Sequence, residues 1–453
     1  MSIISEKISQ VDQLVSLFEQ NREVLARGSS PILNRMREVS IKRFTQTGIP
    51  DLKNEDYKYT RLKPAFENSY RQELVRESGL INLNEIFKNN IPELDAHLVF
   101  LVNGWFYSGN NPGAELPKGV VLDSLEQIAN EQPDLIQNYL NRQAGLSNDP
   151  FVALNTAFAK DGFFLYVPKG VVIEKPIQII NLLSSNENLM ATQRNLIVAE
   201  AASQVKLVVC DQTLTSVSYL VNSVSEVYVG EEAVVDIYTI QNHNNQSTVI
   251  NSAFYRQQRN SVLNTGTFSL HGGLIRNNLK VTFSGDHSEA NVNGLSFTDK
   301  KQHIDNFIII EHASPNCLSN QIYKNILDDE STGAFSGRIH VARDAQQTNA
   351  FQRNNNVLLS DKAKMQTKPQ LIIDADDVKC SHGATVGQID EDALFFLRAR
   401  GIGEKDARMM LMNAFAHEVV QKITIEPLRD RIDELIEKRL NGEIGRSHDC
   451  KDK

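Results

Sequence analysis

The sequence contains few cysteines, and they are far apart. Cys210, Cys317, Cys380 and Cys450 are the four in 453 residues, and no two of them form a C-x-x-C pair. A disulfide framework needs more cysteines at closer spacing. This set is therefore typical of a protein that folds in a reducing compartment.

Long apolar runs are absent as well. No stretch approaches the roughly 18 apolar residues that a membrane-crossing helix requires. Near the N-terminus, Glu6, Lys7 and Asp12 fall where a secretory signal needs an unbroken apolar region. We therefore expect no membrane association and predict a cytoplasmic location.

The chain also lacks an excess of positive charge. Its 47 Lys and Arg face 56 Asp and Glu, which gives a formal charge of −9. Nucleic-acid binding depends on basic side chains that neutralise phosphates, so no nucleic-acid partner is expected. The 41% of hydrophobic and 23% of charged residues are typical of a globular protein.

Familiar catalytic motifs are missing too. The sequence has no G-x-x-x-x-G-K-[ST], no H-E-x-x-H and no G-x-S-x-G. Any dependence on ATP would have to come from another chain.

Helical patterns occupy the beginning of the chain. Apolar residues at spacings of three and four predict a first helix, with Ile8, Val11, Leu14, Val15 and Phe18 on one face. Ser30 and Pro31 are a suitable N-cap and first position for a second helix, which Gly48 and Pro50 end. A third helix is expected from Leu122 to Leu140.

The middle of the chain is rich in short β-branched runs separated by turn residues. Ends of these runs recur at separations of 31, 26, 28, 27, 31 and 32 residues, at Val198, Val229, Tyr255, Phe283, Ile310, Val341 and Ile373. Repeats of about 30 residues in a β-rich sequence indicate stacked coils or blades. Because a propeller blade needs roughly 40 residues or more, we favour a parallel β-helix; a β-sandwich is the alternative.

The end of the chain is helical again. Lys405 to Ile423 and the segment from Glu426 onward each carry an apolar stripe, which would cap the solenoid or dock a partner. We predict an N-terminal helical domain over residues 1–110, a β-helix core over 111–395 and a C-terminal helical domain over 396–453.

The segment that offers most chemistry contains Cys380 and His382. Two residues apart in a strand, the thiol and the imidazole would point to one face and reach one ion or sulfur atom. Lys379 would favour the thiolate. Two ligands are too few for a closed metal site, so others would come from a partner or elsewhere in the chain. A buried thiol beside a hydrogen-bonded histidine is the structural alternative.

Other candidates are weaker. Glu311 and His312 with Cys317 fit no compact metal motif, and the isolated His303 and His340 are expected to be structural. The apolar run around Cys210 places that thiol in the core.

Four stretches of the sequence resemble the SufD family of the SUF iron–sulfur cluster assembly machinery. They are residues 344–363, Thr367-Lys-Pro-Gln-Leu371, residues 376–387 and residues 394–402. Further similarity lies in Val102-Asn-Gly-Trp-Phe106 and in residues 55–60, so the resemblance covers almost the whole chain. The first cysteine at Cys210 and the motif Cys380-Ser-His382 favour SufD over its sister SufB. Tyr57, Phe396 and Ala399 depart from the usual pattern, which affects only local packing.

The resemblance implies a right-handed parallel β-helix between helical domains, in a non-ATPase scaffold subunit. It implies pairing with SufB through the β-helix edge and binding of the ATPase SufC by the C-terminal helices. Cys380 and His382 then lie at the SufB interface, where a nascent iron–sulfur cluster or iron is held transiently, and this chain binds no nucleotide. In the absence of SufB, the isolated chain could form a homodimer, and the sequence leaves its oligomeric state open.

Three alternatives remain at this point. The chain would be a SufB-like homodimeric scaffold, a purely structural scaffold in which Cys380 and His382 are inert, or a carbohydrate-active β-helix enzyme. Acidic clusters such as Asp328-Asp329-Glu330 offer carboxylates for the last, although acidic turns are usually only solvated.

Overall fold

In the computed structural model, which describes residues 9–76, 91, 94–107 and 115–442, strands alternate between two facing sheets. The early strands are β1 Arg71–Gln72, β2 His97–Val102, β3 Trp105–Tyr107, β4 Val121–Ser124, β5 Phe163–Val167 and β6 Ile177–Leu183. The later strands are β7 Leu189–Ala199, β8 Gln204–Thr213, β9 Tyr219–Val229, β10 Val234–Asn242, β11 Thr248–Gln257, β12 Val262–His271, β13 Leu274–Phe283, β14 Glu289–Thr298, β15 His303–His312, β16 Leu318–Leu327, β17 Thr332–Val341, β18 Thr348–Leu358, β19 Lys364–Ile373 and β20 Val378–Gly387.

The strand order shows a parallel β-helix, as the repeat spacing predicts. Sheet A runs β19-β17-β15-β13-β11-β9-β7-β5-β4, and sheet B runs β20-β18-β16-β14-β12-β10-β8-β6-β2-β3. From β7 onward each strand pairs in parallel with the strand two places away in the chain. One coil therefore consists of one strand from each sheet, and seven coils span β7 to β20.

The predicted run ends all fall in strands of sheet A, but three are misplaced in register. Val198 stacks on Tyr228, one residue before Val229, and the other two are Tyr255 and Ile310. Val229 stacks on Gln257 and then on Phe283, so Tyr255 lies two residues too early. His312, rather than Ile310, is the residue that stacks on Phe283. The error arises because a polar residue occupies the inward position in these two coils, where the pattern expects an apolar one.

The turns from sheet A to sheet B share a backbone feature. Six of them, from the turn between β7 and β8 to the turn between β17 and β18, each contain one non-glycine residue with φ between 55° and 59°, namely Ala202, Glu232, Asn260, His287, Asn316 and Gln347. A left-handed residue reverses the chain within a few positions, although it costs a residue with a Cβ some strain. Its recurrence keeps successive coils in register.

Inward side chains fill the space between the sheets. Apolar residues form most of this interior, including Val229, Leu263 and Ile310, each of which is essentially inaccessible. Buried amides are hydrogen-bonded from coil to coil, as in the 2.7 Å bond from Asn325 Nδ2 to Asn356 Oδ1. Such ladders satisfy polar groups that would otherwise be costly to bury.

The first helices pack on the outer face of sheet A. They are α1 Gln10–Ala26, α2 Pro31–Thr47, α3 Leu125–Glu131 and α4 Pro150–Phe158. Ser30 caps α2 and Gly48 ends it, as predicted. The helix expected near Leu122 to Leu140 begins where predicted, with Ser124 as its N-cap, but its predicted end is wrong. It stops at Glu131, just before Pro133, which cannot continue the helical hydrogen bonds. The part of the first predicted helix before residue 9 lies outside the described residues.

The last helices pack on sheet B. They are α5 Glu391–Arg398, α6 Glu404–Val420 and α7 Glu426–Leu440. Val419, Leu428 and Ile432 join a cluster with Tyr238 and Phe268 on the outer face of sheet B. These helices therefore cover a side of the β-helix, and the expectation that they cap its end is wrong. In the described part of the chain, no helix is long and apolar enough to cross a membrane.

The two ends of the β-helix differ. At the first end, sheets A and B terminate in the short antiparallel strands β4 and β3. At the other end they terminate in β19 and β20, ten-residue strands that each pair on one side only within the described residues. This last coil positions Cys380 and His382.

Candidate functional site

The last strand, β20, exposes side chains whose counterparts on β18 are buried. On β18 the inward residues Ala350, Gln352, Asn354 and Asn356 are at most 3% exposed. The residues of β20 stacked on them are Cys380, His382, Ala384 and Val386. Only Cys380 among these four is half-buried, and the others are exposed. The interior of the β-helix is thus open to solvent at this end.

Cys380 lies at the margin of the core. Its side chain packs against the interior cluster, and it stacks on Ala350, whose backbone donates a hydrogen bond to the thiol. Burial raises the pKa of the Cys380 thiol, an effect that this hydrogen bond only partly offsets. Lys379 alternates onto the opposite face and is exposed. The expectation that Lys379 favours the thiolate is therefore wrong: the free chain holds a thiol here.

His382 shares the face of Cys380, as the spacing predicts. The strand alternation places both side chains toward the open interior, with His382 directly above Gln352. Among the residues that the structure describes, no three His, Cys, Asp or Glu side chains form a group suited to a metal ion. Cys380 and His382 alone would supply two ligands, and a complete site needs more.

The two other cysteines that the structure describes, Cys210 and Cys317, pack against hydrophobic clusters. Burial raises the pKa of Cys210 to about 12 and that of Cys317 to about 11. The Cys317 thiol lies 3.4 Å from the carbonyl oxygens of Gly285 and Pro315, to which it donates. Cys450 lies outside the described residues. The prediction that Cys210 belongs to the core is confirmed.

Glu311, His312 and Cys317 do not form a site. His312 points inward and stacks on Phe283 at a ring distance of 4.5 Å, and burial lowers the pKa of its imidazole to about 3. Glu311 points outward, where its Oε2 lies 2.7 Å from Lys280 Nζ. Because side chains alternate along a strand, Glu311 and His312 lie on opposite faces of sheet A and cannot share a ligand.

The remaining histidine and acidic candidates have structural partners. His303 hydrogen-bonds Thr332 at 2.7 Å, and His340 Nε2 lies 3.2 Å from Asp374 Oδ2. In the acidic turn, Glu330 pairs with Lys362 at 3.0 Å. These contacts agree with the structural interpretation of both histidines and with a solvated acidic turn.

Sequence reasoning missed a second exposed feature, on the C-terminal helices. Phe395 is 74% exposed, Phe396 53% and Met410 49%. We call these three residues the α5–α6 patch. A signal was present in the run Leu394-Phe-Phe-Leu397, since four consecutive apolar residues extend around a helix beyond the one face that it normally buries. These side chains lie on two helices that contact each other, and exposed apolar surface of this kind is typical of interaction sites.

Fold and site together define a class of protein: a parallel β-helix scaffold with a thiol and an imidazole on an open last coil. Residues 182–415 match the SufBD core domain of SUF system FeS cluster assembly, and residues 8–179 match the SufBD protein N-terminal region. The chain therefore belongs to the SufBD family of iron–sulfur cluster assembly proteins.

Individual relatives agree with this assignment. An iron–sulfur cluster assembly SufBD family protein of Synechocystis is 28% identical over 95% of this chain and 96% of its own length. The SufD protein of Escherichia coli is 40% identical over 39% of this chain and 42% of its own. The SufD protein of Bacillus subtilis is 27% identical over 71% of this chain and 74% of its own.

Proposed function

We propose that this chain is a SufD-type subunit, a scaffold without ATPase activity that pairs with SufB through its open last coil. The observation that carries the proposal is the exposure of most inward side chains of β20, namely His382, Ala384 and Val386, together with Ile373 at the end of β19. Unpaired strand edges are a template for another strand, and a homologous β-helix would extend both sheets by β-augmentation.

The side chains of the last coil suit such pairing. Ile373 is 39% exposed and Val386 44%, although their counterparts one coil below, Val341 and Asn356, are at most 2% exposed. A second β-helix placed on this end would bury these residues as the earlier coils bury theirs. Burial of apolar surface would then favour the complex, at about 25 cal/mol per Å².

Pairing would also enclose Cys380 and His382 and supply the further metal ligands that these two residues lack on their own. Thiolate and imidazole are ligands that iron accepts, and a SufB side chain would complete the set. The nascent cluster or iron is the cargo of this junction. Because burial raises the pKa of Cys380, binding of the metal would release the thiol proton.

The α5–α6 patch is the surface that we assign to the ATPase SufC. ATP hydrolysis would be supplied by that partner. A charged link joins α6 to the coils near the site, since Glu418 pairs with Lys324 on β16 and with Arg353 on β18. Movement of α6 would therefore reach the strand next to β20. Such a complex would operate in the cytoplasm.

Co-expression with SufB and SufC tests the site. We expect the His382→Ala chain to assemble with both partners at wild-type stoichiometry but to yield little iron and sulfide. His287→Ala is the matched control, because His287 is exposed in a turn remote from the last coil. Normal iron and sulfide in the His382→Ala complex would refute the role of the imidazole and leave a purely structural scaffold.

The pairing surface has its own test. Val386→Glu places a charge on the open end and should abolish recovery of SufB. Val172→Glu is the control, since Val172 is equally exposed, at 46%, but lies near the first end of the β-helix. Equal SufB recovery with both variants would contradict the proposed surface. Self-pairing of the open end in the absence of SufB would give a homodimer, which Val386→Glu should likewise dissociate.

A further inference from the structure

One buried hydrogen-bond acceptor lies directly beneath the exposed imidazole. Gln352 on β18 is 3% exposed and stacks on His382 in the parallel register of β18 and β20. Its Oε1 is buried and accepts no hydrogen bond from any residue that the structure describes. A buried carbonyl oxygen without a donor is costly and uncommon, so this atom requires an explanation.

The amide nitrogen of Gln352 has a partner in the coil below. Its Nε2 donates to Gln321 Oε1, one coil further down, at 3.1 Å. Gly337, on the facing strand β17, provides the space: a Cβ built there would lie 2.2 Å from Gln352 Nε2. With Nε2 directed toward the deeper coil, Oε1 remains available to the coil above.

The neighbouring inward positions differ from this one. Asn354, two residues along β18, stacks beneath Ala384 and donates to the carbonyl oxygen of Tyr323 at 3.2 Å. Asn356 stacks beneath Val386 and donates to the Thr385 carbonyl at 2.8 Å. Of these three buried amides of β18, Gln352 alone combines an unpartnered oxygen with a hydrogen-bond donor side chain stacked above it.

We infer that Gln352 is a positioning residue for His382. Adjacent parallel strands lie about 4.8 Å apart, which is within reach of a glutamine and a histidine stacked on one face. Rotation of the exposed imidazole about its side-chain bonds brings a ring N–H onto Gln352 Oε1. The nitrogen that donates then carries the proton, and the other nitrogen presents its lone pair to the open end.

This arrangement deepens the role proposed for His382 and rests on it. A metal or sulfur acceptor needs a neutral imidazole with one free nitrogen, and the bond made by the second nitrogen decides which one is free. Partners of this kind usually contribute 10- to 100-fold in metal affinity or activity. Gln352 would thus prepare the ligand before SufB arrives.

The test compares three variants in the full chain. Gln352→Leu removes the acceptor at similar volume, Gln352→Glu retains an acceptor, and Asn354→Leu alters an equally buried amide that does not underlie a histidine. Chains carrying ¹⁵N-histidine report the tautomer through the ring nitrogen shifts, and the His382 signals are identified by their loss in His382→Ala. The same variants are co-expressed with SufB and SufC, and bound iron and sulfide are measured.

We expect Gln352→Leu to shift the His382 ring signals and to lower iron and sulfide about tenfold, whereas Asn354→Leu leaves both near wild type. Gln352→Glu keeps an acceptor but adds a negative charge, so it should shift the ring signals toward the doubly protonated imidazole. Unchanged His382 signals in Gln352→Leu would overturn the inference, whatever the yield of clusters. Equal losses in Gln352→Leu and Asn354→Leu would also overturn it, because they would indicate interior packing. If His382→Ala matures clusters normally, the proposed function fails, but the ring signals still decide whether Gln352 binds His382.

Discussion

Arg276 and Asp305 form a buried ion pair across the neighbouring strands β13 and β15 of sheet A. The two side chains are 1% and 2% exposed. The Arg276 guanidinium also lies between two rings, 4.4 Å from the centre of Tyr57 and 4.8 Å from that of Phe307. Because Tyr57 belongs to the N-terminal region, this arginine joins that region to the β-helix.

Removal of Arg276 should therefore destabilise the folded protein strongly. Arg276→Met leaves the Asp305 carboxylate buried without its counter-charge, and we expect the free energy of unfolding to fall by about 3–5 kcal/mol. The measurement is urea unfolding followed by circular dichroism. Arg353→Met is the control: Arg353 is 49% exposed in its pair with Glu418, and its loss should cost less than about 1 kcal/mol. Similar losses in both variants would contradict the special role of the buried pair.

Acid should destabilise the protein through His243. Burial, with a smaller contribution from His271, lowers the pKa of His243 from 6.5 to about 4. The unfolded chain therefore binds a proton below pH 6.5 that the folded chain does not bind until about pH 4. The resulting stability is fully present above pH 6.5 and falls by roughly 3 kcal/mol as the pH drops to 4.

The variant His243→Leu isolates this effect. We expect it to unfold near the wild-type urea concentration at pH 7, but to lose less stability than the wild type between pH 7 and 4.5. His287→Leu is the matched control, because that side chain is 53% exposed. An acid dependence that His243→Leu leaves unchanged would show that other groups control it.

Gly294 should tolerate no side chain. A Cβ at this position would lie 2.2 Å from the Tyr323 ring, and Phe335 packs against that ring at 5.2 Å between centres. We expect Gly294→Ala to lower the free energy of unfolding by about 1–3 kcal/mol through overpacking. Gly383→Ala, where nothing lies within 4 Å of the added carbon, should have almost no effect. A neutral Gly294→Ala would mean that the ring can move, against the packing described here.

The α5–α6 patch should matter for binding and not for folding. Phe395→Ser exposes nothing new, because Phe395 is already 74% exposed, so the free energy of unfolding should change by less than about 0.5 kcal/mol. We expect this variant to lose SufC in co-purification while it retains SufB. Leu146→Ser is the control, since Leu146 is 82% exposed but lies in the N-terminal region. Retention of SufC by Phe395→Ser would assign the ATPase to another surface.

Sequence periodicity predicts the β-helix because each coil repeats the same constraint. Residues such as Val229, Phe283 and Val341 recur where the chain re-enters the interior, and the chain must supply an apolar side chain there about every 30 residues. Register is less predictable. Gln257 and His312 occupy the same inward row, and only the hydrogen-bonded strands show that they do.

The environment of the site was not predictable from the sequence. Spacing shows that Cys380 and His382 share a face, but whether that face is covered depends on where the C-terminal helices pack. An apolar helical stripe such as that of α7 indicates burial without specifying the surface that it meets. The raised pKa of the Cys380 thiol and the unpartnered oxygen of Gln352 were equally unpredictable, because both arise from contacts between neighbouring coils.

The difference between the two ends of the β-helix limits the size of any assembly built on it. Strands β3 and β4 at the first end have three and four residues and run antiparallel, whereas β19 and β20 have ten residues each. The first end therefore offers only short strand edges for pairing, whereas the last end offers two long ones. If two chains pair through their last coils, neither keeps a second long strand edge within the described residues, so pairing by this edge would stop at two chains and would not continue as a fibre.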